Sequence, residues 1–392
     1  MVGSLLIDDL SWQNSDIGIL TGAMFWIYGI GQLVNGRLSE IFGATKFIVL
    51  GLLLSSLTNI LFGFQSDVLG MALLWGINGF FQSMGWTPGM SLLAKWWPGN
   101  THGFATGVAH AFSGFGQVWA TVAVAFGLWL LPNMGWRSAF IVPPVFTLVT
   151  LTIYLLFTKS SPADVGLPEY IETDEEKAFA EKEMAELRAT KGNFYPYKYI
   201  LSNKKFLIWM FVAFVTGLAR YGLMTWVPLY FIEVFGVNVT KGLVQSLALP
   251  VGLGIGTFVV PWLTDRYCAN DRLPAVLYSA IAGTVSVLVF MVLDPSIAWE
   301  MVLITICLFV AGFSIYSING IAWAFAIDVG GRIFTATCSG VLNFSAYMGA
   351  AVQSVFYGFL LNHGGWDIVF YSTAGWCAII ALIGVLAKRI TE

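Results

Sequence analysis

The chain has 392 residues, 57% of them hydrophobic and only 10% charged, with a mean hydropathy of +0.77. Soluble domains carry roughly 25% charged residues, so this composition excludes a soluble fold, and the long unbroken apolar runs, which do not alternate, exclude a β-barrel. The formal net charge of -3 says little about partners, because in such a chain the informative quantity is where the cations fall.

In chain order, the first sixteen residues have no basic region ahead of an apolar core and no small-residue cleavage site, so they are not a signal peptide. A spanning helix needs about 20 apolar residues, and such runs follow near 16–36, 46–63, 69–95, 103–131 and 137–157. From 159 to 205 the chain is charged, and the run 172–191 (ETDEEKAFAEKEMAELRATK) is rich in strong helix formers, which predicts a solvated helix in a connecting loop. Further spans are predicted near 206–227, 242–263, 273–293, 299–327, 334–361 and 366–386. The expectation is an all-α membrane protein with eleven spans, divided into an N-terminal helical half (1–158), a cytoplasmic central loop (159–205) and a C-terminal helical half (206–392).

Arg37, Lys46, Lys95, the central loop, Arg266, Arg272, Arg332, Lys388 and Arg389 fall on one side of these spans, and only Arg137 and Lys241 on the other. Cytoplasmic loops retain lysine and arginine, which places the central loop and the C-terminus in the cytoplasm.

The halves resemble each other. Gly36-Arg37-Leu38-Ser39-Glu40 has a counterpart in Trp262-Leu263-Thr264-Asp265-Arg266, Gly135-Trp136-Arg137 in Gly365-Trp366-Asp367, and Thr106 to His110 in Ser339 to Asn343, at offsets of about 230 residues. The copies have the same orientation, so they are parallel repeats related by an axis along the membrane normal. Shifting the span 206–227 back by that offset lands before residue 1, so two six-helix halves are expected with the first helix missing, and an in-frame upstream extension encoding an apolar helix with an arginine is predicted.

One basic residue, Arg220, sits near the middle of a span, and no carboxylate does. An arginine at a helix centre costs roughly 2.5–3.5 kcal/mol on insertion scales, so its partner is expected to be an anionic substrate held by the planar, forked guanidinium. The competing reading is bonding to helix carbonyls or to a carboxylate on the missing helix. His110 is mid-span and could bond substrate, carry a proton or join two helices. Gln32, Tyr221 and Asn343 are weaker substrate-binding candidates, as is Asn319; each is more often interhelical glue. Arg37, Glu40, Asp265 and Arg266, with Arg272, sit at helix ends where charges can bridge helices and break as the halves rock, which is conformational coupling. Glycines such as Gly252, Gly254 and Gly256 are expected to let helices approach closely. The four scattered cysteines show no ligand spacing and no nucleophile or phosphate-loop motif occurs, so no metal, cofactor or enzymatic activity is expected.

The parallel halves, the Gly-Arg-Leu-Ser-Glu turn and the charged central loop resemble the major facilitator superfamily. Within it, Phe81 to Pro88 with Trp96-Trp97, Pro162 to Glu169, Arg220-Tyr221-Gly222 with Trp226 and Pro228, and Gly364 to Asp367 resemble the organophosphate:phosphate antiporter family, which includes glycerol-3-phosphate and hexose-phosphate transporters. The resemblance implies a phosphoryl group held between two arginines, of which Arg220 matches the seventh-span one and the other falls on the missing helix. The chain departs at Gln32, where one branch has lysine; at Ser113, where it has histidine, with His110 one turn earlier; and at Thr225, where an acidic residue is frequent. The implied function is secondary active transport of a small organic anion by alternating access, an organic phosphate exchanged for inorganic phosphate. Alternatives are a proton-coupled carboxylate symporter and a transporter-like sugar-phosphate sensor. The expected setting is the inner membrane, multi-pass, as a monomer in the lipid bilayer, with a phosphate ester and inorganic phosphate as partners and no nucleic acid.

Overall fold

The computed structural model describes residues 5–6, 9–12, 14–98, 101–168, 192, 194–235, 247–268, 272–294 and 296–391. The charged run 172–191 and the start of the expected span at 242 lie outside the described residues. Every regular element among the described residues is helical: α1 Asn14–Phe42, α2 Ala44–Gly63, α3 Val68–Trp96, α4 His102–Leu130, α5 Ser138–Phe157, the short α6 Tyr195–Ser202, α7 Lys204–Phe235, α8 Ala248–Tyr267 and α9 Leu273–Met291. The helical run Ala298–Thr391 then holds three apolar stretches, α10 Trp299–Gly331, α11 Phe334–Leu361 and α12 Gly365–Leu386.

Local chemistry sets these limits. Gly43, with φ of 94°, ends α1, and the Asp67 side chain caps α3 by accepting from Gly70 N–H at 2.9 Å. Gly135 and Gly365, the two glycines matched by the repeat, both have positive φ (55° and 71°) and both lie just ahead of a spanning helix. The Pro-Ala-Asp-Val stretch is a 3-10 turn closed by a capping box between Ser161 and Asp164 and ended by Gly166 at φ 73°.

Nine of the described helices are long and apolar enough to cross a membrane. The other two expected spans, α3 and α4, have 29 residues each, about 43 Å at 1.5 Å per residue, against a hydrocarbon thickness of about 30 Å. Large apolar side chains lie bare along many of them, Trp129 and Phe157 at 73% and 78% exposure. Water would penalise that surface; acyl chains cover it without cost.

The described chain forms two compact units, Met1–Pro98 with Phe112–Pro196 and Val329–Phe344, and Gly99–Ala111 with Tyr197–Asp328 and Ser345–Glu392. The first turns of α4 therefore pack with the later helices, and the first turns of α11 with the earlier ones. In the first unit Phe62, Trp75, Trp136 and Phe140 form an aromatic cluster, and Trp136 Nε1 donates to Asp9 at 2.8 Å.

In the second unit glycine sets the helix spacing. Gly252 and Gly256 of α8 face the backbone of Phe309 and Phe313 on α10 so closely that a methyl group would collide, and Gly312 meets Leu249 in the same way. Gly254, expected in the same role, faces open space, because it projects from another side of α8. Gly256→Leu is therefore expected to lower stability by about 1–3 kcal/mol, whereas Gly254→Ala should match or exceed the parent, since alanine is the better helix former by up to about 1 kcal/mol. Thermal unfolding in detergent distinguishes the two.

Candidate substrate site

Arg220 lies in the middle of α7, within the second unit. Its Nη2 donates to Tyr221 Oη at 2.6 Å, and its guanidinium carbon stands 4.4 Å from the Tyr221 ring centroid and 5.1 Å from that of Tyr316 on α10. The Tyr347 ring of α11 lies 5.8 Å from that of Tyr221. Aromatic faces attract a cation by about 0.5–2 kcal/mol, which holds the group in place without neutralising it. Arg220 makes no ion pair among the described residues, and its buried Nε has no hydrogen-bond acceptor there. A guanidinium has five N–H donors, so beyond the bond to Tyr221 this one keeps an unsatisfied donor at Nε with which to bind an oxyanion.

His110 of α4 belongs to the same unit, within electrostatic range of Arg220 and with its ring 6.3 Å from that of Trp323. The structure thus brings Arg220, Tyr221 and His110 together. Gln32 and Asn343 belong to the first unit, buried to 0% and 5% exposure. Gln32 lies where the α1 backbone meets Gly340 of α11, and neither of its amide atoms finds a hydrogen-bond partner among the described residues. Asn319 is buried one turn beyond Tyr316. Tyr316 and Tyr347 went unnoticed in the sequence, where the available signal was a tyrosine set mid-span with its hydroxyl far from either interface.

The charged helix ends form two networks built on one plan. In the first unit Arg37 Nη1 donates to Glu40 Oε2 at 2.9 Å, and Glu40 accepts from Thr337 N–H and Oγ1, both at 2.7 Å, in the first turn of α11. In the second unit Asp265 accepts from Gly103 N–H (3.1 Å) and Phe104 N–H (2.8 Å) in the first turn of α4, and from Arg272 Nη1 at 3.0 Å. Each carboxylate thus sits on the unsatisfied N–H groups of a helix N-terminus, where the backbone dipole favours negative charge. Close contact at the same point repeats too: a methyl on Gly36 would strike the Ala336 carbonyl, and one on Gly103 the Pro261 carbonyl.

The second network extends further than its sequence suggested. Arg272 also donates to Thr264 Oγ1 (2.6 Å) and to Asp328 Oδ2 (3.0 Å), and Asp328 Oδ1 lies 3.1 Å from His102 Nδ1. Arg266, grouped with these residues from sequence, is instead exposed, its guanidinium 5.7 Å from the ring of Tyr267.

Nine helices long and apolar enough to cross a membrane, one of them with Arg220 at its middle, fit a multi-pass membrane transport protein. The chain belongs to the Major Facilitator Superfamily, whose profile matches residues 1–354. It is 27% identical over 386 residues to a probable hexose phosphate transport protein of Chlamydia trachomatis, covering 96% of this chain and 83% of that one. It is 26% identical over 390 residues to the glycerol-3-phosphate transporter of Bacillus subtilis, covering 96% and 84%. Among solved structures, the proton:xylose symporter XylE shares the fold with a TM-score of 0.73 at 14% identity, over 97% of this chain and 88% of that one.

Proposed function

We propose that this transporter exchanges an organic phosphate for inorganic phosphate by alternating access, with Arg220 taking the phosphoryl group. The observation that carries the reading is the guanidinium of Arg220, set among tyrosines with its Nε unsatisfied and no carboxylate paired to it among the described residues. A dianionic phosphoryl group supplies both the missing charge and the oxygen acceptors, and a planar fork binds it in two places. Similarity to hexose-phosphate and glycerol-3-phosphate transporters supports the phosphate ester as substrate. Tyr221, already bonded to Arg220, extends the donor set, and His110 is a further polar group of the same unit; Gln32 and Asn343 are polar groups buried in the first unit. Glu40 and Asp265, each bonded to a helix N-terminus, are releasable clasps for conformational coupling as the halves rock, with Arg37 and Arg272 as their basic partners. The setting is the inner membrane, with the lysine- and arginine-rich side in the cytoplasm and the protein a monomer.

Ligand-dependent stability tests the reading, since a ligand at a hundred times its Kd adds about 2.7 kcal/mol. Glycerol 3-phosphate, a hexose 6-phosphate and inorganic phosphate are expected to raise the melting temperature in detergent, and glycerol or the free hexose to leave it unchanged. Equal stabilisation by a phosphate ester and its parent alcohol would contradict the anion site; stabilisation by carboxylates alone would favour the symport reading.

A further inference from the structure

Away from Arg220, helices α8, α9 and α10 leave a groove of about 570 Å³ on the second unit. Phe309 and Phe313 of α10 form its floor, Leu263 and Tyr267 of α8 one wall, and Tyr278 and Ala282 of α9 the other. From Val260 to Tyr267 it runs about 10 Å along α8 at 1.5 Å per residue, towards the end of the helix that carries Arg266.

Its lining is chemically plain. None of the lining side chains has a buried polar atom lacking a partner. Thr264 donates to the Pro261 carbonyl, and Ser279 is bonded by Ser317. A polar solute would find nothing to orient it there, whereas an alkyl chain fits both the shape and the lining. Tyr267 and Tyr278, 72% and 71% exposed, stand at the mouth as aromatic residues do where a membrane meets water. Arg266 is exposed beside Tyr267, with no ion pair among the described residues. Its neighbour Asp265 is already bonded by Arg272, Gly103 and Phe104. A second groove of about 620 Å³, at the other end of α8 and α10, has no arginine or lysine among its lining residues.

We infer that the α8–α9–α10 groove binds an acyl chain of an anionic glycerophospholipid, with the lipid phosphate paired to Arg266. The groove supplies affinity for the chain and Arg266 supplies preference for the headgroup. One basic residue near an anionic membrane surface corresponds to a preference of about five-fold.

The test is native mass spectrometry of the detergent-solubilised protein with dioleoyl phosphatidylglycerol and dioleoyl phosphatidylcholine in equal amounts. The wild type is expected to retain phosphatidylglycerol about five-fold more, Arg266→Gln to retain the two equally, and Ala282→Trp, which fills the groove, to retain less of both. Phosphatidylglycerol carrying a photoreactive group in its acyl chain provides a second readout on the unsubstituted protein and should label the peptide containing Phe309 and Phe313. Equal retention of the two lipids by the wild type, a preference that survives Arg266→Gln, or labelling confined to other helices would overturn the assignment.

Discussion

Arg220→Lys is expected to insert and fold normally yet to transport with an apparent affinity lowered about 100-fold. Lysine keeps the charge, so the cost of holding a cation in the span is unchanged, but it loses the planar fork and its fixed pair of donors. Hydrogen bonds to charged groups contribute about 1.5–3 kcal/mol each, and one or two of them separate the variants. Lysine also gives up the Tyr221 hydroxyl contact at 2.6 Å and the stacking on Tyr221 and Tyr316 that aim the guanidinium. Arg220→Ala should abolish transport altogether while improving insertion, because a buried charge has gone. Uptake assays at matched expression decide the matter: wild-type rate and affinity in Arg220→Lys would make the residue structural.

Asp265→Ala is expected to cost about 3–5 kcal/mol of stability, the usual penalty for breaking a buried pair from one side. Three donors lose their acceptor at once: Gly103 N–H and Phe104 N–H at the start of α4, and Arg272 Nη1. Arg272 keeps Asp328, at 3.0 Å, so the loss stays below complete unfolding of the unit. Asp265→Asn should fall between, since its amide oxygen still accepts from the helix terminus but no longer offsets the arginine. Melting in detergent measures the order, wild type above asparagine above alanine. A common melting temperature for all three would show that the Asp265 bonds carry no net energy.

The architecture was readable because a membrane imposes few solutions. Long apolar runs have to be helices, and the recurrence of Gly135-Trp136 as Gly365-Trp366 marks two glycines that share a positive φ at the entrance to a span. Arg220 stood out for the same reason, an expensive charge with no local excuse. What surrounds it did not: Tyr316 and Tyr347 come from helices about a hundred residues downstream, and only tertiary packing says which face of α10 or α11 meets α7. Likewise Asp265 and Glu40 announced themselves as charged helix ends, but their acceptor role towards the backbone of α4 and α11 depends on contacts between segments more than 150 residues apart. Arg266 illustrates the converse, since adjacency in sequence to Asp265 suggested a shared network, whereas consecutive helical residues point about 100° apart and Arg272 occupies the place instead.

The exchange reading is tested most directly by counterflow. Proteoliposomes containing the protein and loaded with unlabelled inorganic phosphate are placed in a trace of labelled phosphate, with no proton or sodium gradient. An exchanger accumulates label transiently above its equilibrium level, an excess that collapses when the internal phosphate is omitted and that external glycerol 3-phosphate or hexose 6-phosphate competes away. That is the predicted result, with Arg220→Ala giving only the background of empty liposomes. Label that never exceeds equilibrium in phosphate-loaded vesicles, with correctly inserted and folded protein, would contradict phosphate exchange.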